Sequence, residues 1–84
     1  TKLFELDLSS NNFTSLDISN NSGLTSLLCS DNNLSKIEVD NLLDKLILYN
    51  KSGNIFDAQN QIPAIVPDPL KVATLDSIWT TVLV

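Results

Sequence analysis

The chain contains no histidine, a single cysteine and only two glycines among its 84 residues. Without histidine the commonest general acid and base at neutral pH is missing, and two isolated glycines cannot build the Gly-rich loop that cradles a phosphate. A lone Cys29 makes no internal disulfide and leaves the redox compartment open. Basic residues are scarce too: five against ten acidic ones, a net charge of −5 that offers no cationic face to a phosphate backbone. Apolar runs are only a few residues long, far below the roughly 20 that span a bilayer, so no direct membrane insertion is expected. Neither EF-hand spacing nor an Asp-rich calcium repeat occurs. The expectation is a protein that is not an enzyme, takes no cofactor or metal, and does not bind nucleic acid.

What the chain has is aliphatic residues at a fixed interval. Hydrophobic residues make up 43% of the sequence and aromatics only 6%, enough for a packed interior. Leu3-x-x-Leu6-x-Leu8-x-x-Asn11 recurs 21 residues later as Leu24-x-x-Leu27-x-Cys29-x-x-Asn32. The match runs on, with Asn12-Phe13-Thr14-Ser15-Leu16-Asp17-Ile18 opposite Asn33-Leu34-Ser35-Lys36-Ile37-Glu38-Val39. Leu-x-Leu alternation has the period of a strand with one buried face, and it occurs twice per unit, which predicts two short extended segments per coil. Asn11 and Asn32 fall where the chain must turn, and their amides can satisfy backbone groups that the bend removes from the ladder. A weaker third unit, Leu43-x-x-Leu46-x-Leu48, returns after 19 residues with its register open by one, since its asparagine position falls on Lys51 beside Asn50. Asn60-Gln61-Ile62-Pro63-Ala64-Ile65 repeats the Asn11 to Leu16 pattern and ends a last, irregular coil.

On the phrases LTSLLCSDNNLSKIEVD and FTSLDISNNSGL the sequence resembles the bacterial leucine-rich repeats of internalin-type cell-surface proteins, the variety of about 21 residues with a strand Cys. The resemblance covers residues 1 to about 65. It implies a mainly β, right-handed solenoid of short parallel strands, two per coil, with an extracellular or cell-surface address and a protein or glycan ligand. In that variety the Cys can stack in successive coils. Here Leu8 and Leu48 take the equivalent sites, so Cys29 reads as a buried apolar residue rather than a nucleophile.

Alternation then fixes which residues face outward. Three rows are expected across adjacent coils, about 4.8 Å apart: Glu5, Ser26 and Lys45; Asp7, Leu28 and Ile47; Ser9, Ser30 and Tyr49. Leu28, Ile47 and Tyr49 form an apolar cluster flanked by Glu5, Asp7 and Lys45, and these six are the candidate binding residues. Asp17 and Glu38 are expected side by side on the second strand, a solvated acidic strip.

Pro67-Asp68-Pro69 interrupts any ladder and marks the best boundary. Residues 1–65 are therefore read as three to four coils. Residues 66–84, rich in β-branched residues, read as strand: either a cap on the solenoid or the start of a truncated β module. An open solenoid end would also offer an edge to a second copy. The favoured function is a binding module of a secreted or surface protein; the alternative is a spacer that presents another domain.

Overall fold

The computed structural model describes residues 4–49 and 52–84. Leu3 of the first repeat, and Asn50 and Lys51 where the third repeat's asparagine was expected, lie outside them. Six elements follow one another: β1 (Glu5–Asp7), β2 (Ser26–Leu28), α1 (Lys36–Tyr49), β3 (Gly53–Asp57), α2 (Pro69–Asp76) and β4 (Trp79–Leu83). The strands make one parallel sheet in chain order, β1-β2-β3-β4. Leu6, Leu27, Phe56 and Val82 form one row across it. The parallel strands agree with the sequence reading, but the fold is a small α/β domain, not a mainly β one.

Helix α1 replaces the second strand expected after Asn33, and residues 12–19, where the first coil's second strand was expected, form neither strand nor helix. Leu-x-x-Leu spacing serves two geometries. Three residues apart is also one helical turn, and Val39, Leu42, Leu43 and Leu46 recur at the i, i+3, i+4, i+7 spacing of a buried helix stripe. Ser35 decides the start of α1: its Oγ accepts from the Glu38 amide at 3.3 Å, an N-cap contact. Leu43-x-x-Leu46-x-Leu48 is therefore the last half of a 14-residue helix, with Leu48 exposed rather than inside. Glu38 sits in that helix's first turn, not on a strand beside Asp17. A helix advances about 1.5 Å per residue against about 3.3 Å for extended chain, so a helical crossing uses more residues. The step accordingly grows from 21 residues (Leu6 to Leu27) to 29 (Leu27 to Phe56) and 26 (Phe56 to Val82).

The third strand lies at Gly53-x-x-Phe56-x-Ala58-x-x-Gln61, matched to Leu24-x-x-Leu27-x-Cys29-x-x-Asn32 by register. Gly53 stands where a leucine stood because Trp79 of β4 fills the space: a Cβ there would lie 2.0 Å from the indole Cε2. Three left-handed residues, Ser10, Asp31 and Asn60 (φ 59°, 57° and 59°), close the three turns at one repeat position. With so few glycines, this strained position falls to Ser, Asp and Asn, the last two the non-glycine residues most tolerant of it. The next residue in each turn is Asn11, Asn32 or Gln61. Asn32 Nδ2 lies 2.9 Å from Leu8 O, 3.1 Å from Cys29 O and 3.1 Å from Ser30 O, while its Oδ1 accepts from Phe13 N at 3.1 Å. Gln61 does the same one strand on, donating to Cys29 O and Ala58 O and accepting from Leu34 N. The anchor of that turn is thus Gln61, one residue beyond the expected Asn60.

The Pro67-Asp68-Pro69 stretch leads into a helix rather than an extended connector. Asp68 caps α2, accepting from Leu70 N at 2.9 Å, and Pro69 sits in the first turn where its missing N–H costs nothing. Only Trp79–Leu83 of the expected carboxyl-terminal β segment is strand, and it pairs with β3. Asp40 ties the helices together: one oxygen accepts from Asp68 N at 2.8 Å and the other meets Lys36 Nζ at 2.6 Å. Lys71 of α2 reaches Asp44 of α1 at 2.8 Å. Val39, Leu42, Leu43 and Leu46 of α1 and Leu75 of α2 join Leu27 and Phe56 in one buried core, so both helices lie on that face of the sheet.

Candidate binding face

Alternation along the strands sends the remaining residues to the other face. Two rows cross it: Glu5, Ser26, Ile55 and Thr81, then Asp7, Leu28, Asp57 and Leu83. No charged residue of these rows is a cation. Between β1 and β3 the face sinks into a groove of about 290 Å³ lined by Glu5, Leu6, Asp7, Ser26, Leu28 and Ile55.

The groove's polar groups differ in how they are held. Asp7 Oδ1 accepts from Ser9 Oγ at 2.6 Å and from Ser9 N at 3.0 Å, which holds its carboxyl below the ordinary 3.8 and keeps it ionised. Asp57 Oδ1 accepts from Gln59 N at 3.1 Å. Each turn therefore engages one carboxylate oxygen. Ser26 is only 7% exposed, and its hydroxyl has no hydrogen-bond partner among the described residues.

Glu5, Asp7 and Leu28 come together in this groove as the sequence suggested. Lys45, Ile47 and Tyr49 do not: all three belong to α1. Ile47 and Tyr49 are half-buried and pack against the core, because the helix stripe they adjoin must be covered. Lys45 lies near Asp17, whose carboxyl is held low chiefly by the Ser19 hydroxyl and amide, with the lysine charge a smaller contribution. The places beside Ser26 and Leu28 expected for Lys45 and Ile47 belong to Ile55 and Asp57. Counting back five residues from Gln61, as Leu27 lies five before Asn32, would have found Phe56 and the strand.

Cys29 faces inward with no exposure, and its thiol is pushed up to about 12 by burial first and the nearby Asp57 charge second, so it is not a nucleophile at neutral pH. A larger hollow of about 510 Å³ lies beside α2, walled by Val66, Pro67, Pro69 and Val72 with Asp76 its one charged group. Its lack of converging polar groups makes it the weaker candidate despite its size. Among the described residues no group of three Cys, Asp or Glu side chains could hold a metal ion, and no helix is long and apolar enough to cross a membrane. Comparison with protein-family models, curated proteins and solved structures gives no match to this chain.

Proposed function

We propose that the chain is a segment of a leucine-rich-repeat solenoid, part of a secreted or cell-surface bacterial protein, that binds a protein or glycan partner through its uncovered sheet face. The carrying observation is the groove of Glu5, Asp7, Ser26, Leu28 and Ile55 on the face opposite both helices. Support for the solenoid reading comes from the sheet order, which follows the chain, and from the turn that Asn32 and Gln61 build identically. Stacked repeats of this kind present an extended surface on which side chains from successive units act together. Half-buried aliphatic residues ringed by carboxylates suit such recognition, with apolar contact for affinity and charge for selectivity.

Peptides selected by display on the immobilised chain test the assignment. Leu28→Ser combined with Ile55→Thr should weaken their binding about tenfold or more, the loss of two central aliphatic contacts, with circular dichroism unchanged. Leu48→Ser, on the exposed side of α1, should leave binding intact. Binders that survive the sheet-face pair and are lost on Leu48→Ser would overturn the assignment. A selection that returns no binders would favour the spacer.

A further inference from the structure

Resting on the reading of the sheet face as a recognition surface, we propose that the groove between β1 and β3 receives a single cationic side chain, an arginine or lysine of a partner polypeptide. Its volume, about 290 Å³, sits at the lower limit of ligand pockets, which suits one long side chain rather than a larger ligand. Its walls are aliphatic, supplied by Leu6, Leu28 and Ile55, and its rim carries the exposed carboxylates of Glu5 and Asp7. Lysine and arginine have this same division, an apolar stem that packs on hydrocarbon and a charged head that seeks oxygen. Ser26 supplies the second, independent observation. Its hydroxyl, in a residue 7% exposed and with no partner among the described residues, lines the groove as a ready acceptor for an N–H.

Charge favours the same occupant. Neither row of the face carries a cation, and of the described lysines Lys36 meets Asp40, Lys71 meets Asp44 and Lys45 lies near Asp17. Two carboxylates without a counterion among the described residues leave a negative potential that a cationic head would neutralise. A metal ion is a poorer fit, since no three acidic or thiol ligands converge among the described residues. A polypeptide fits better than a free small cation because the face continues past the groove to Asp57, Thr81 and Leu83, giving flanking residues a surface to contact.

The test is amide-shift mapping of the isotopically labelled 84-residue chain with a capped Ala-Arg-Leu-Ala peptide and its citrulline counterpart, which keeps the shape and loses the charge. The arginine peptide should give saturable shifts at Ser26, Leu28 and Ile55. Citrulline, or Glu5→Gln or Asp7→Asn with the arginine peptide, should bind roughly fivefold more weakly, the size of one well-placed exposed ion pair. Glu5 makes no side-chain hydrogen bond among the described residues and Asp7→Asn keeps an acceptor for Ser9, so both variants should give native spectra. Equal saturation by both peptides at these amides would overturn the cationic choice while leaving the face a recognition surface. Shifts absent, or confined to the helices, would overturn the inference. Display-selected binders sensitive to Leu28→Ser with Ile55→Thr would then still uphold the wider reading.

Discussion

Asn32, only 1% exposed, joins two turns at once by donating to carbonyls of its own turn and of the preceding one while accepting from Phe13. Removing that amide strands several buried backbone groups. Asn32→Ala should cost roughly 2–3 kcal/mol in denaturant unfolding, at the upper end for an unmade buried hydrogen bond. Asn32→Asp tests the polarity of the arrangement, because it turns a carboxylate toward the carbonyls that the amide served. Burial and those carbonyls would raise the folded pKa of the introduced acid, so the variant's deficit should be greatest at neutral pH. It should narrow as pH falls toward about 4 and below, where the acid is protonated in both states. A deficit that did not change with pH would mean the turn is not held by donation from residue 32. Gly53 is constrained differently, by close approach. Gly53→Ala drives a methyl into the Trp79 indole, which is buried and whose Nε1 has no partner among the described residues. Overpacking of this kind costs about 1–3 kcal/mol, and it should disturb the near-ultraviolet tryptophan signal as well as the melting temperature.

The two helices depend on one another through Asp40, which bridges Lys36 within α1 and the Asp68 amide at the cap of α2. Burial alone would raise the Asp40 pKa, but the Asp68 amide, the Lys36 hydrogen bond and the charges of Lys36 and Lys71 outweigh it and lower it below 3.8. A depressed folded pKa gives stability that is present above the unfolded value and lost as pH falls through the folded one. The tie between helices should therefore be at full strength at pH 5 to 7, weaken as pH falls below the ordinary carboxyl range of about 4, and be lost as pH passes the depressed folded pKa. Asp40→Ala should destabilise by roughly 1–3 kcal/mol at pH 7 and lose much of that difference at pH 3, read from helical circular dichroism melts. The elements themselves were only half legible in the chain. Leu24 to Asn32 announced its strand and turn because Leu24, Leu27, Cys29 and Asn32 repeat the first unit at a fixed step of 21. Gly53 to Gln61 did not, because Gly, Phe, Ala and Gln replace Leu, Leu, Cys and Asn, and the Gly makes sense only beside Trp79. Leu43 to Leu48 misled because a spacing of three fits both a strand repeat and a helix face. The cap that decides between them, Ser35 with Glu38, is a short-range signal that periodicity outshone. On the binding face, Glu5, Asp7 and Leu28 followed from the clear repeats, whereas Ile55 and Asp57 depended on the obscured one.

At the scale of the molecule, four parallel strands in chain order separate the chain's two chemistries. One side takes the leucines and both helices; the other keeps carboxylates, hydroxyls and a few aliphatic side chains. A chain this short buries a smaller fraction of its surface than a larger domain does, so its core has little to spare. The apolar side chains left on the sheet face at Leu28, Ile55 and Leu83 are more readily understood as contacts for a partner than as packing. Acidic charge on that face is part of the net −5 of the chain, and binding of a cationic partner should weaken as salt rises, since exposed charges are screened within about 8 Å at physiological ionic strength. The most direct measurement of the central claim is an amide-shift map of the chain with a display-selected binder at saturation. Shifts concentrated on Glu5, Ser26, Leu28, Ile55 and Asp57, with α1 and α2 unmoved, are the predicted result. Shifts centred on Ile37, Leu48 or the hollow beside α2 would contradict it and move recognition to the helical side.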